Sequence, residues 1–173
     1  GGGAWTLIES QVASADATLD FTTGITSTYD TYILVGSALV LNTGGGFDFL
    51  ASTDGGSSWL SSYSWKVHKK HETGYDGADL IDQSVFDMDY NQEHASGEMA
   101  SFTIWVDDPS GSADRKGVRS DLLYFDTGGD GAGSISHGSI NSTSAVDGFR
   151  IDAAGGSATI TSGRITLYGI SHT

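Results

Sequence analysis

Apolar residues along this chain recur with a period of two, in short runs separated by glycine-containing turns. That alternation marks half-buried strands rather than helices. It predicts strands over 5–13, 17–21, 29–41, 46–52, 59–70, 84–90, 98–106, 115–125, 145–152 and 163–170. Helix formers gather only over 75–94, where Gly77 interrupts them and Gly74 and Gly97 flank them. At most a short turn is expected there. About ten strands at this spacing predict an all-β fold: an antiparallel β-sandwich, jelly-roll-like, with little or no helix. No repeat of fixed length runs through the chain, which argues against a propeller or a solenoid.

The alternation also orients several strands. In 59–70, Trp59, Ser61, Tyr63, Trp65 and Val67 share one face, and Leu60, Ser62, Ser64, Lys66, His68 and Lys70 the other. The aromatic face should pack inward. In 98–106 the core face is Ala100, Phe102, Ile104 and Val106, which turns Met99 and Trp105 outward. In 163–170, Ile165 and Leu167 lie opposite Arg164, Thr166, Tyr168 and Ile170, a face only partly polar. The run 29–41 has no face suited to water, since Ile33, Val35 and Leu39 lie on one side and Tyr32, Leu34, Ala38 and Val40 on the other. Another part of the domain or another subunit must cover the second face. The expectation is a homo-oligomer, a trimer by preference, with Tyr32, Leu34, Val40, Trp105 and Tyr168 at the interface.

The chain has 173 residues, which suits one domain over 5–173 behind a glycine-rich linker or processed start at 1–4. A chain of this length buries roughly 70% of its unfolded surface, so it needs neither a disulfide nor a metal to fold. It has no cysteine, hence no disulfide framework and no thiolate chemistry. Net charge is −14, with 8 Lys and Arg against 22 Asp and Glu. Such a surface repels phosphate backbones and anionic membranes, so nucleic acid is not an expected partner. No apolar run approaches the roughly 18 residues of a helical membrane span, and no membrane insertion is expected.

The sharpest local motif is Ser52-Thr53-Asp54-Gly55-Gly56-Ser57-Ser58-Trp59, which fits S-x-D-x-G-x-x-W and resembles the Asp-box of sialidases and related proteins. Physically it is expected to be a β-hairpin turn. Asp54 accepts backbone N–H bonds, Gly56 takes positive φ, and Trp59 packs beneath. In sialidases such boxes recur on successive blades away from the active site, and a single box implies a structural turn without glycosidase activity. Asp- and Gly-rich loops at 107–114, at 126–131 and at 76–79 with Asp82 offer oxygen ligands for calcium, although ordinary turns use the same residues. None follows the EF-hand register, so calcium is the one cofactor considered and none is assigned. The basic cluster His68-Lys69-Lys70-His71-Glu72 reads as a solvated strand end. G-x-S-x-G, H-E-x-x-H, P-loop and G-x-G-x-x-G signatures are all absent, and no enzymatic activity is expected. Asn141-Ser142-Thr143 is a glycosylation sequon, relevant only in a eukaryotic secretory host.

The order and spacing of several blocks resemble structural modules of tailed-phage virions from marine and environmental phages. They are AWTLIESQ at 4–11, the small-polar run 13–18 with LDF at 19–21, TGITSTYDTY at 23–32, FLASTDGGS at 49–57, AVDGFRI at 145–151 and SGRITLYGI at 162–170. The resemblance implies a β-sandwich, often trimeric, that serves as a tail fibre, spike or capsid decoration at the virion surface. The implied function is non-enzymatic: oligomeric assembly and multivalent attachment, with further copies of the chain, other virion proteins and a host surface glycan as partners. For a glycan, the expected contact surface is Tyr75 and Tyr90 with Asp76, Asp79 and Asn91 as polar partners. The alternative is a carbohydrate-binding module of a secreted bacterial polysaccharide-active protein. A glycoside hydrolase ranks third, because nothing in the sequence singles out an acid pair.

Overall fold

A computed structural model describes residues 5–71, 74–90, 94–154 and 156–171. Among them, twelve strands and no helix form two antiparallel sheets. The larger sheet holds, in spatial order, β1 (Thr6–Val12), β12 (Ile160–Ile170), β3 (Thr31–Leu41), β8 (Met99–Asp107), β9 (Lys116–Phe125), β10 (Gly131–Ile140), β5 (Tyr63–His71) and β6 (Gly74–Gln83). The smaller sheet holds β2 (Thr18–Phe21), β11 (Gly148–Ala154), β4 (Gly46–Ser52) and β7 (Phe86–Asp87). This is the expected all-β sandwich, and the strand order does not make it a jelly roll in particular.

The core lies where the period-two pattern puts it. Phe47, Phe49, Phe149 and Ile151 of the smaller sheet meet Tyr32, Leu34, Phe102, Ile104 and Leu167 of the larger, all essentially buried. Ring pairs join the sheets, with centroids 6.1 Å apart for Tyr32 and Phe149 and 5.8 Å apart for Phe47 and Phe102. Each such pair adds about 1 kcal/mol beyond its buried area. The buried hydroxyls are satisfied where they cross the core. Tyr63 Oη accepts from the Ala51 N–H at 2.8 Å, and Tyr32 Oη accepts from the Thr26 N–H at 2.7 Å.

Four strands do not cover eight, and the chain from 84 to 90 covers the remainder. Trp65 of β5 donates to the Val85 carbonyl at 3.0 Å and packs on Phe86. Ser134 and Ser136 of β10 both donate to the Met88 carbonyl. Lys69, almost fully buried, donates to the Tyr90 carbonyl at 2.6 Å. The underside of β5 and β10 is therefore lined by polar groups with partners in that segment.

Several expectations need correction. Residues 74–83, expected to be no more than a turn, form the edge strand β6, with Ala78 and Leu80 packed on the core while Tyr75, Asp79 and Ile81 face out. Residues 131–140, assigned to no strand, form β10. Its alternation is inverted, since Ala132, Ser134 and Ser136 point in while Ile135 and His137 point out, so the apolar pattern does not report it. The Asp-box-like segment is not a hairpin turn, because β4 and β5 belong to different sheets. It is the crossover between them. Its internal bonds are nonetheless those expected: Asp54 accepts from the N–H and hydroxyl of Ser58, and Gly55 and Gly56 take positive φ. Trp59 carries the Arg150 guanidinium 4.4 Å from its ring centre.

One position on the second face of β3 is covered from within the domain, while Val35 and Ser37 stay partly or fully open. Ile33 points out of the sandwich yet is fully buried. Its cross-strand neighbours are Tyr168 and Trp105, and Trp5 lies over both, with centroids 5.5 and 5.7 Å away. Tyr32 and Leu34, expected at an interface, face inward and belong to the core. A bulge between Gly36 and Leu39 shifts the register, which sends Leu39 inward and places Val40 beside Met99.

Candidate binding face

Strand register builds a grid of side chains on the outer face of the larger sheet. Seven strands contribute one residue each to a single row: Tyr168, Ile33, Trp105, Arg119, His137, Lys66 and Asp79 are successive cross-strand partners. The next row runs Thr166, Val35, Thr103, Asp121, Ile135, His68 and Gly77. A third, beyond the bulge, takes Ser101, Leu123, Gly133, Lys70 and Tyr75. With strands about 4.8 Å apart, the rows span a surface several sugar rings or a peptide strand long.

Shallow hollows lie along this grid, and two of them flank Asp121 and Ile135. One, of about 230 Å³, is lined by Thr103, Trp105, Arg119, Asp121, Ile135 and His137. The other, of about 270 Å³, lies over Gly133, where the missing side chain leaves space between Lys70, Tyr75, Asp121 and Ile135. Aromatic rings, cations and hydrogen-bonding groups thus alternate along one open face. Arg119 lies over the Trp105 ring at 4.7 Å and Lys70 over the Tyr75 ring at 5.5 Å. Such a face binds by stacking, hydrogen bonding and charge.

The expected glycan residues are divided between surfaces. Tyr75, with 83% of its surface exposed, stands on the outer face opposite Lys70. Asp79 is on that face too, paired with Lys66 at 2.7 Å. Asp76 is the cross-strand partner of the inward Lys69, which it approaches at 3.4 Å. Tyr90 packs on Trp65 and Lys69 on the inner side, so it shares no platform with Tyr75. Asn91 lies outside the described residues. Of the expected interface residues, Val40, Trp105 and Tyr168 are on the outer face. The row that joins Trp105 to Lys66 escaped sequence reasoning because β10, which carries His137, was not recognised. An outward Arg119 three residues after Lys116 was the available hint.

The opposite side of the molecule is acidic. On the outer face of the smaller sheet, Asp152, Asp48 and Asp87 are successive cross-strand partners. Burial, then Asp87 and then Asp152 push the Asp48 carboxyl up to about 7. Next to this row, Arg150 holds Asp20 through two bonds of 2.6 and 2.7 Å. Asp89 is buried over Gly46, where a Cβ would meet its carboxyl at 2.3 Å. Its Oδ2 is 2.6 Å from Nε2 of His94, whose ring stacks on Tyr124 at 4.3 Å.

The loops considered for calcium hold themselves together. Asp126 accepts from the N–H groups of Gly128 and Asp130, which closes the β9–β10 turn. Asp76 and Asp79 lie in a strand rather than a loop. Among the described residues no three His, Asp or Glu side chains converge on a point that would hold a metal ion. Comparison with protein-family models, with curated proteins and with solved structures finds no match to this chain.

Proposed function

We propose that the chain is a non-enzymatic attachment and assembly module that offers the outer face of its larger sheet to a ligand, in several copies at once. The in-register row from Trp105 to Asp79 carries the reading, because it sets a ring, cations and a carboxylate side by side on one open face. The blocks that resemble tailed-phage virion modules supply the setting: a fibre, spike or capsid decoration at the virion surface, with other virion proteins and a host surface glycan as partners. Assembly has a candidate surface in the edge strand β1 and the residue before it. Trp5, Leu7 and Val12 are each about half exposed there, and a second copy would cover them. Several copies on one particle turn weak single contacts into durable attachment.

Light scattering tests this reading. A mass that is a whole multiple of the 18.0 kDa chain, trimeric by preference, is expected, and Leu7→Glu with Val12→Glu should lower it. A monomer that still binds a polysaccharide through the same face would instead support a carbohydrate-binding module of a polysaccharide-active protein.

A further inference from the structure

Taking the attachment reading as its basis, we infer that the outer face of the larger sheet takes an acidic oligosaccharide bearing uronic-acid carboxylates, with Arg119 as the anchoring cation. The distribution of charge carries this. The chain has only 8 Lys and Arg. Lys69 and Lys116 are buried, and Arg150 is committed to Asp20 on the other sheet. Lys66, Lys70, Arg119 and Arg164 all project from the outer face of the larger sheet, together with His68 and His137. Among the described residues, the carboxylates on this face are Asp79, Asp107 and Asp121. Lys66 occupies Asp79, and Thr31 donates to Asp107. A chain of strongly negative net charge thus sets four of its eight Lys and Arg side chains on one face, with Arg115 the exposed cation outside this set.

Those cations are placed to be used. Among the described residues Arg119 and Lys70 make no ion pair or hydrogen bond, and each lies over an aromatic ring. A guanidinium stacked on Trp105 commits its flat side and keeps its in-plane N–H groups for a carboxylate, which matches their fork. Tyr75 offers a ring for a sugar face, and Thr103 and Asp121 lie between it and Arg119 to meet hydroxyls. The overall charge of −14 repels densely charged polyanions, so the fitting ligand carries spaced carboxylates.

Calorimetry on the full chain, with an alginate hexasaccharide, a chondroitin sulfate hexasaccharide and neutral isomaltohexaose, tests the inference. The uronate is expected to bind best. Arg119→Gln should weaken it at least tenfold, Arg119→Lys should restore part of the loss, and Arg150→Gln, on the smaller sheet, should change nothing. Raising the salt to 0.5 M should weaken it further. Binding of the neutral sugar alone, abolished by Tyr75→Ala but not by Arg119→Gln, would overturn the acidic ligand while leaving the attachment face intact. Preference for the sulfated sugar would overturn the uronate assignment. Binding that survives every substitution on the face would overturn both the inference and the attachment reading.

Discussion

The Asp89 carboxyl and the His94 imidazole meet at 2.6 Å with both side chains buried. Burial, reinforced by Asp87 and Asp48, holds the Asp89 carboxyl well above the usual carboxylate range. Burial alone pushes His94 down to about 4. The His94 ring is thus neutral near pH 7. Because the neutral ring is favoured in the fold, its contribution is present above the unfolded value of about 6.5 and is lost as pH falls through about 4. Histidine NMR should show the His94 ring still neutral at pH 5.5. Titration near 6.5 would contradict this. Asp89→Asn, which keeps the side chain's size, should cost less than His94→Ala, which loses the Tyr124 stack and opens a cavity worth about 2–4 kcal/mol.

Asp48 acts in the opposite sense. Its folded value is raised to about 7 from 3.8, so its contribution is present below pH 3.8 and is lost as pH rises through 7. Asp48→Asn removes that dependence. Thermal melts should show the variant gaining on the parent at pH 8 and gaining little at pH 4. An equal difference at both pH values would show that Asp48 is not held protonated by its burial beside Asp87 and Asp152.

Two adjacent lysines should answer differently to the same change. Lys69 is buried and holds the Tyr90 carbonyl, while Lys70 is exposed over Tyr75. Lys69→Ala leaves a buried carbonyl without its donor and should cost about 2 kcal/mol or more in urea denaturation. Lys70→Ala should fall within about 0.5 kcal/mol of the parent. Equal losses would place both side chains in the same environment.

Ile33 should behave as a core residue although it points away from the core. Trp5, Trp105 and Tyr168 enclose it, so Ile33→Ala should cost about 2–4 kcal/mol. A loss below about 0.5 kcal/mol would mean that the aromatic cover is not maintained in solution.

Period-two alternation was enough to find most strands and to orient 98–106, because Ala100, Phe102, Ile104 and Val106 are all inward and apolar. It failed at β10, where the inward positions are alanine and serine and the apolar Ile135 faces out. It also failed at β6, whose Gly74 and Gly77 mimic a turn. The candidate face was less legible still. Trp105 was correctly placed outward, and Tyr75 was singled out as a contact residue. The alignment of Trp105 with Arg119, His137 and Lys66 depends on pairing between strands far apart in sequence, which local alternation does not encode. The pairing of Tyr75 with Tyr90 fails for the same reason: on either side of β7 in the sequence, they lie on opposite faces of the larger sheet.

The most direct test of the account is to map ligand contact on the folded protein by amide NMR during titration with whichever hexasaccharide binds. The account predicts shifts confined to Trp105, Arg119, Asp121, His137, Lys66 and their row neighbours, with the acidic row of Asp48, Asp87 and Asp152 unmoved. Shifts centred on that acidic row, or on the loops at 107–114 and 126–131, would contradict the assignment of the larger sheet's outer face as the binding surface.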